Sequence, residues 1–191
     1  KSGENLMIYT DTNSYLLIGT GDKLAAGNEA ETLGGKLFSA LNGTASKLGW
    51  MPDHKLAPTV LADVLFGANL ASYHFDSYFT EKEMDDVKVR LCVGGGVLNE
   101  KVSVQQDRHA LANGVFFARD LVFEPANKLC PVEFANRCTA LTSLGLEVEV
   151  LDEDAMEKLG MGALLGVGQG SRRESRMVVM NWRGGGDESP F

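Results

Sequence analysis

The chain has 191 residues, of which 44% are hydrophobic and 23% are charged, and this composition excludes a disordered or fibrous protein. A total of 26 acidic residues against 18 basic ones gives a formal charge of −8, which disfavours binding to nucleic-acid phosphates. No apolar run reaches the ~20 residues that a membrane span needs, and residues 1–5 lack the apolar stretch of a signal peptide, so we expect a cytoplasmic protein.

The N-terminal half has the patterns of short strands and amphipathic helices. These patterns predict, in chain order, strands over residues 6–9 and 15–19, helices over residues 29–41 and 60–75, and a strand over residues 87–93. In the first helix Leu33, Leu37 and Leu41 recur every fourth residue, which gives the helix one apolar face. Thr59 stands where the second helix begins, and we predict it as the N-cap. A small α/β domain is therefore expected at this end of the chain.

The C-terminal half begins with a long helix and continues as a second α/β pattern. Apolar residues at helical spacing between Val104 and Val122, followed by Pro125, predict a helix that links two domains. Beyond it we predict a helix over residues 131–141, a strand over 146–151, a short helix over 152–158, and strands over 163–167 and 177–182. We therefore divide the chain into an N-terminal α/β domain (1–103), a linking helix (104–124) and the beginning of an incomplete C-terminal domain (125–191).

The residue types that most often bind metals or perform catalysis are scattered along the chain. His54, His74 and His109 stand in separate segments without metal-ligand spacing, which favours packing roles. The three cysteines include no Cys-x-x-Cys pair, so we expect reduced thiols, and they are Cys92, Cys130 and Cys138. No His-Glu-x-x-His, nucleophile-elbow or P-loop motif occurs. We therefore predict no catalytic or metal-binding residue in this chain and leave the substrate-binding residues unknown.

Acidic and glycine-rich segments offer further candidates for a site. Asp152, Glu153 and Asp154 fit the negatively charged first turn of a helix better than a metal site. Residues 166–170 have Gly-x-Gly-x-Gly spacing after a predicted strand, but no convincing apolar helix follows them, which disfavours a dinucleotide site. Glycine triplets at residues 94–96 and 184–186 indicate loops, in which bare backbone could approach a ligand.

Three segments carry a more specific pattern. The glycine segment is residues 159–171 (LGMGALLGVGQGS), which leads into residues 174–180 (ESRMVVM). The linking segment is residues 119–127 (RDLVFEPAN), and the aromatic segment is residues 71–80 (ASYHFDSYFT). Together they resemble the cytosolic, two-metal leucyl aminopeptidase family, although Phe123 stands where that family usually has asparagine. The resemblance extends from about residue 33 to residue 191, and the residues before it match only in general pattern.

The resemblance implies a fold, an activity and a set of partners. The implied fold is a small, macro-like N-terminal α/β domain, joined by a long helix to the start of a mixed-sheet α/β catalytic domain. The implied activity is that of a metalloaminopeptidase, a hydrolase that releases N-terminal leucine and other amino acids from peptides. It uses two divalent cations, Mn²⁺ or Zn²⁺ and in some cases Mg²⁺, to activate water and polarise the scissile carbonyl. Family members assemble as hexamers, so a homohexamer acting on peptides is expected, and nucleic acid is disfavoured.

The family's metal ligands follow the part of its sequence that this chain resembles. None of them carries over to a residue here, and we expect the chain alone to bind no metal and to be inactive. The resemblance also predicts that a Gly-Lys-Gly strand and an Asn-Thr-Asp-Ala-Glu-Gly-Arg sequence follow Phe191 in the gene. One alternative stays open, namely a non-catalytic binding or assembly module built on the N-terminal domain.

Overall fold

The structure is a computed structural model, and it describes residues 4–9, 11, 14–20, 24–41, 48–50, 57–80, 91–93 and 101–186. The chain forms two compact units, Lys1–Asp120 and Leu121–Phe191. Both units combine helices with small sheets, so the predicted mixed α/β class is confirmed. None of the helices in the described ranges is long and apolar enough to cross a membrane.

The described residues of the first unit form two strand pairs and two helices, and a third helix begins among them. Its elements are β1 (Asn5–Tyr9), β2 (Ser14–Ile18), α1 (Asn28–Leu41), β3 (Leu48–Trp50), α2 (Pro58–Ala71), β4 (Leu91–Val93) and α3 (Lys101–Phe123). β1 and β2 form an antiparallel hairpin, whereas β3 and β4 pair in parallel. The hairpin, α1 and α3 confirm the predicted elements. β3 was not predicted, and residues 87–90 and 94–96 of the predicted strand and glycine triplet lie outside the described residues.

The core of the first unit lies where the hairpin meets α1 and α2. Its buried residues are Ala30, Leu33, Leu37, Leu41, Val60 and Val64, with Met7, Leu16, Ile18 and Leu24 packed against them. Met7 and Leu16 lie opposite each other across the hairpin, so their side chains share one face of it. Each large apolar side chain buried in this way contributes about 1.5–3 kcal/mol relative to the exposed state.

Two glycines bring the α1 and α2 backbones into contact. A Cβ added at Gly34 would overlap the carbonyl oxygen of Val64, and one added at Gly67 would overlap the carbonyl oxygen of Glu31. Each glycine therefore faces a backbone carbonyl of the other helix. A side chain at either position would force the two helices apart.

Up to residue 186, the second unit forms three helices, a 3-10 turn and one strand pair. Its elements are α4 (Pro131–Ala140), the 3-10 turn (Leu141–Leu144), β5 (Glu147–Leu151), α5 (Glu153–Lys158), α6 (Gly162–Gly168) and β6 (Met177–Asn181). β5 and β6 are antiparallel, with Val148 opposite Met180. Ala135, Cys138 and Met156 are the buried apolar residues of this unit among those described.

Local signals set the ends of these elements. Pro131 occupies the first turn of α4, where its missing N–H is not needed. After the 3-10 turn Gly145 adopts φ 95°, a left-handed conformation that favours glycine. A Cβ added at Gly145 would lie 3.3 Å from the ring of Trp182. Asp152 caps α5 by accepting a hydrogen bond from the N–H of Ala155 at 2.8 Å. These ends agree with the predicted helix and strand positions.

The strand predicted over residues 163–167 is wrong, because these residues form α6. The N–H of Leu165 donates to the carbonyl of Met161 at 3.2 Å, as in a helical turn. Met161, Leu165 and Gly168 are half-buried while their neighbours are exposed, which is the period of a helix. A short apolar run does not distinguish a strand from a helix by itself, and the Ala-Leu-Leu sequence has high helix propensity.

Both predicted ends of α2 also need correction. Ala57 is the N-cap, without a side-chain hydrogen bond, and Pro58 takes the first helical position, so Thr59 already lies inside the helix. At the other end the helix stops at Ala71 instead of continuing to residue 75. Ser72 closes it, since its hydroxyl donates to the carbonyl of Asn69 at 2.7 Å. The aromatic segment therefore leaves the helix and continues as turns.

Candidate functional site

The aromatic segment and the linking segment meet in the first unit. The hydroxyl of Tyr73 donates to the Asp120 carboxylate at 2.7 Å. Arg119 donates to the carbonyl oxygen of Leu70 at 2.7 Å and lies over the Tyr73 ring, 5.3 Å from its centroid. The ring of Phe116 packs against Tyr73 at a centroid distance of 5.3 Å. Residues that are far apart in the sequence thus fix the end of α2 against α3.

The electrostatics of this cluster identify Tyr73 as a donor and not as a base. Burial, the hydrogen bond to Asp120 and the negative charge of that carboxylate raise the pKa of Tyr73 to about 12, while Arg119 opposes the rise. At neutral pH the hydroxyl therefore stays protonated and keeps donating. The cluster is suited to holding two helices together, and its tyrosine is not poised to exchange a proton near neutral pH.

A second attachment of α3 to α2 was not predicted from the sequence. Asp63 is 2% exposed, accepts a hydrogen bond from the N–H of Gly27 at 2.6 Å, and forms an ion pair with Arg108. The Arg108 guanidinium also lies over the Phe66 ring. A buried carboxylate needs partners of this kind, because desolvation is costly for an unpaired charge. The signal in the sequence is an aspartate inside the apolar stripe of α2, between Val60 and Val64.

The linking segment contacts the residues that directly follow the glycine segment, in the second unit. Arg173 donates to the carbonyl oxygen of Asn127 at 3.1 Å, and its own N–H donates to the hydroxyl of Ser171 at 3.0 Å. The linking segment is held further by Arg137, which pairs with Glu124 at 2.7 Å and with Glu133 at 2.9 Å. These carboxylates raise the pKa of Arg137, that of Glu124 contributing most, which favours the charged guanidinium.

The surroundings of Cys130 lower the pKa of its thiol, which favours the reactive thiolate form. Cys130 is the N-cap of α4, and the N–H of Glu133, the Arg173 guanidinium and the N–H of Val132 lower the pKa of its thiol, against the effect of burial. These groups stabilise a thiolate but none of them takes up a proton, so they do not form a nucleophile–base pair. Cys130 and the buried Cys138 are free thiols, as predicted, and the side chain of Cys92 is not among those described.

The two described histidines, His74 and His109, lie in separate segments and in the packing or surface roles that were predicted. The Nδ1 atom of His74 lies 2.7 Å from the carbonyl oxygen of Ser72, in the turn that follows α2. Nδ1 of His109 lies 3.2 Å from the Asn113 amide nitrogen on the exposed side of α3. His54 lies outside the described residues. The placement of His74 on the long helix was wrong, since that helix ends three residues earlier.

The glycine-rich segments have structural explanations in the described residues. Residues 162–168 are helical, so the strand that a dinucleotide-binding loop requires is missing before Gly168. A Cβ at Gly168 would overlap the Ser175 hydroxyl, and one at Gly184 would overlap the Trp182 ring. Gly186 adopts φ 69°, which favours glycine. The triplet at residues 184–186 is therefore a turn beside Trp182.

Two acidic residues at the start of α5, Asp152 and Glu153, each accept a backbone hydrogen bond. Asp152 is the cap, and Glu153 accepts a hydrogen bond from the N–H of Ser175 at 2.7 Å, which ties α5 to the segment that leads into β6. Across the described ranges, no group of three or more His, Cys, Asp or Glu side chains is placed to hold a metal ion. The predicted helix-cap role of these acids is confirmed at Asp152.

The comparisons with known proteins identify the family. Residues 116–191 match the catalytic domain of the cytosol aminopeptidase family. A probable cytosol aminopeptidase of Dinoroseobacter shibae is 53% identical over 131 residues, which cover 69% of this chain and 26% of that protein. One from Rhizobium meliloti is 41% identical over 180 residues, which cover 89% of this chain and 36% of that protein.

Two solved structures share the fold. A tomato leucine aminopeptidase mutant matches 94% of this chain and 38% of its own length, with a TM-score of 0.83 and 20% identity. A bottromycin maturation enzyme in complex with Mn matches 95% of this chain and 40% of its own length, with a TM-score of 0.74 and 23% identity.

Fold and sequence together define an α/β segment with two units, whose residues 116–191 match a peptidase-family catalytic domain. The chain belongs to the cytosol aminopeptidase family, as the three segments predicted. It spans 26% to 36% of the length of the two curated relatives described above.

Proposed function

We propose that the protein containing this chain is a metal-dependent aminopeptidase that releases leucine and other amino acids from the N-termini of peptides. The observation that carries this proposal is the match of residues 116–191 to the catalytic domain of the family. It is supported by relatives named as cytosol aminopeptidases, whose similarity extends over most of the chain. The match to a catalytic domain disfavours a free-standing binding or assembly module.

Within that protein, we propose that this chain supplies the N-terminal domain (1–103), the linking helix (104–124) and the beginning of the catalytic domain (125–191). Supporting observations are the continuous helix α3 (Lys101–Phe123) and the division into two units after Asp120, inside that helix. Two contacts attach α3 to the rest of the first unit, namely the ion pair of Arg108 with Asp63 and the hydrogen bond from Tyr73 to Asp120. The role of this chain is therefore that of a frame on which the catalytic domain is completed.

We propose that the parent enzyme uses two divalent cations, Mn²⁺ or Zn²⁺ and in some cases Mg²⁺. The structurally similar bottromycin maturation enzyme, which is in complex with Mn, supports this proposal. Such cations, when bound, lower the pKa of a water molecule and polarise the scissile carbonyl. The described residues of this chain do not fit such a metal site, because no three potential metal ligands lie together among them. The ligands are accordingly proposed to lie in other parts of the enzyme, and no step of hydrolysis is assigned to residues of this chain.

The enzyme is further proposed to be a cytoplasmic homohexamer that acts on peptides and binds neither membrane nor nucleic acid. The family relationship supports the assembly, and the net charge of −8 supports the exclusion of nucleic acid. Sedimentation of the longer protein measures the assembly directly. A sedimenting species smaller than six subunits at working concentrations contradicts it.

The activity is tested on the longer protein encoded by the gene, with leucine p-nitroanilide as substrate. We expect hydrolysis that a chelator abolishes and that added Mn²⁺, Zn²⁺ or Mg²⁺ restores. N-acetyl-leucine p-nitroanilide is the matched control, since its amine is blocked, and it should not be hydrolysed. Activity that persists in the chelator, or that is equal on the blocked substrate, overturns the proposal.

The isolated 191-residue chain should hydrolyse no leucine p-nitroanilide with Mn²⁺ added. The physical reason is that the described residues hold no group of potential metal ligands. The Dinoroseobacter shibae relative, assayed in parallel, is the positive control. Turnover that coelutes with the pure chain would show that the chain carries its own active site.

A further inference from the structure

We draw no further inference here: the strongest candidate, the outward apolar face of the β1–β2 hairpin formed by Leu6, Ile8, Tyr15 and Leu17, carries none because nothing in the described part of the structure shows what covers it.

Discussion

The contact between the α1 and α2 backbones makes a sharp prediction about Gly34. Replacing it by alanine places a Cβ against the Val64 carbonyl oxygen and 2.7 Å from the Ala68 nitrogen. Both are backbone atoms of α2, so no side chain can rotate away to make room. The whole of α2 has to move relative to α1 before the methyl group fits.

The size of the effect follows from that displacement. Ordinary contacts of a Cβ begin at 3.4 Å, so the Ala68 nitrogen alone requires a shift of 3.4 − 2.7 = 0.7 Å, and the Val64 oxygen requires more. A shift of that size loosens the packing of Leu33 and Leu37 on Val60 and Val64. Overpacking of a core costs about 1–3 kcal/mol. Because backbone atoms cause the overlap, we expect a packing cost in the upper part of that range, about 3 kcal/mol. Alanine regains about 1 kcal/mol of helix propensity over glycine, so Gly34→Ala should lower the free energy of unfolding by about 2 kcal/mol net.

The neighbouring residue Gly35 provides a matched control in the same helix. A Cβ there meets nothing closer than 4.0 Å, from Ala71 and Gly67, so Gly35→Ala should stabilise the chain by about 0.5–1 kcal/mol. Urea unfolding followed by circular dichroism measures both variants. The two substitutions are chemically identical, and therefore their opposite signs test the packing alone. Equal midpoints for Gly34→Ala and the unmodified chain would refute the close approach of the helices.

Three further variants test contacts elsewhere. Tyr73→Phe removes the hydroxyl that donates to the Asp120 carboxylate. It should lower the free energy of unfolding, measured by urea titration, by about 1–3 kcal/mol. Because the pKa of Tyr73 is raised to about 12, its stabilisation is complete below pH 10 and is lost as the pH rises through 12, so the cost of the substitution shrinks over that window. Asp152→Ala removes a cap and should cost about 1 kcal/mol in thermal unfolding, more than Asp154→Ala. Arg173→Ala raises the pKa of Cys130 and should slow its alkylation by iodoacetamide at neutral pH, followed by peptide mass mapping.

Each of these expectations has an outcome that contradicts it. A difference between Tyr73→Phe and the unmodified chain that stays constant up to pH 12 would show that the hydroxyl does not donate to Asp120. Equal losses for the two aspartate variants would mean that charge near the helix end, and not the cap, stabilises α5. Unchanged alkylation after Arg173→Ala would leave the backbone N–H groups as the whole cause of the thiol's lowered pKa.

Elements with a strong local pattern are predictable from the sequence. The four-residue recurrence of Leu33, Leu37 and Leu41 predicts α1, and the alternation over residues 146–151 predicts β5. Asp152 and the acids after it predict the start of α5. In these cases the residues that specify the element lie within it, so a short window of sequence contains the necessary information.

Predictions fail where the outcome depends on competing local signals. Residues 163–167 form a short apolar segment. They are helical because they continue a turn that begins at Met161, whose carbonyl accepts from the N–H of Leu165. At the start of α2 proline and threonine compete for the same position, and Pro58 takes the first helical place because it lacks an N–H. β3 has only three residues, which is too short for a period to show.

The contacts of the candidate site could not be predicted from the sequence, because they join residues that only the fold brings together. Tyr73 and Asp120 are 47 positions apart, and Arg173 and Asn127 are 46 apart. Spacing within a segment predicts which face a residue occupies but not which distant segment it meets. The family resemblance did not indicate that the linking segment contacts the aromatic segment and the residues after the glycine segment.

The position of the N-terminal core in the chain has a consequence for biosynthesis. The last buried member of that core is Val64, whereas the match to the catalytic domain begins at residue 116, which is 116 − 64 = 52 residues later. At about 5–20 residues per second, a ribosome needs about 3–10 s to add those residues. The hairpin, α1 and α2 therefore have part of those seconds in which to pack before the segment that matches the catalytic domain is translated. Translation order thus allows the core of the first unit to form without the residues of the second unit.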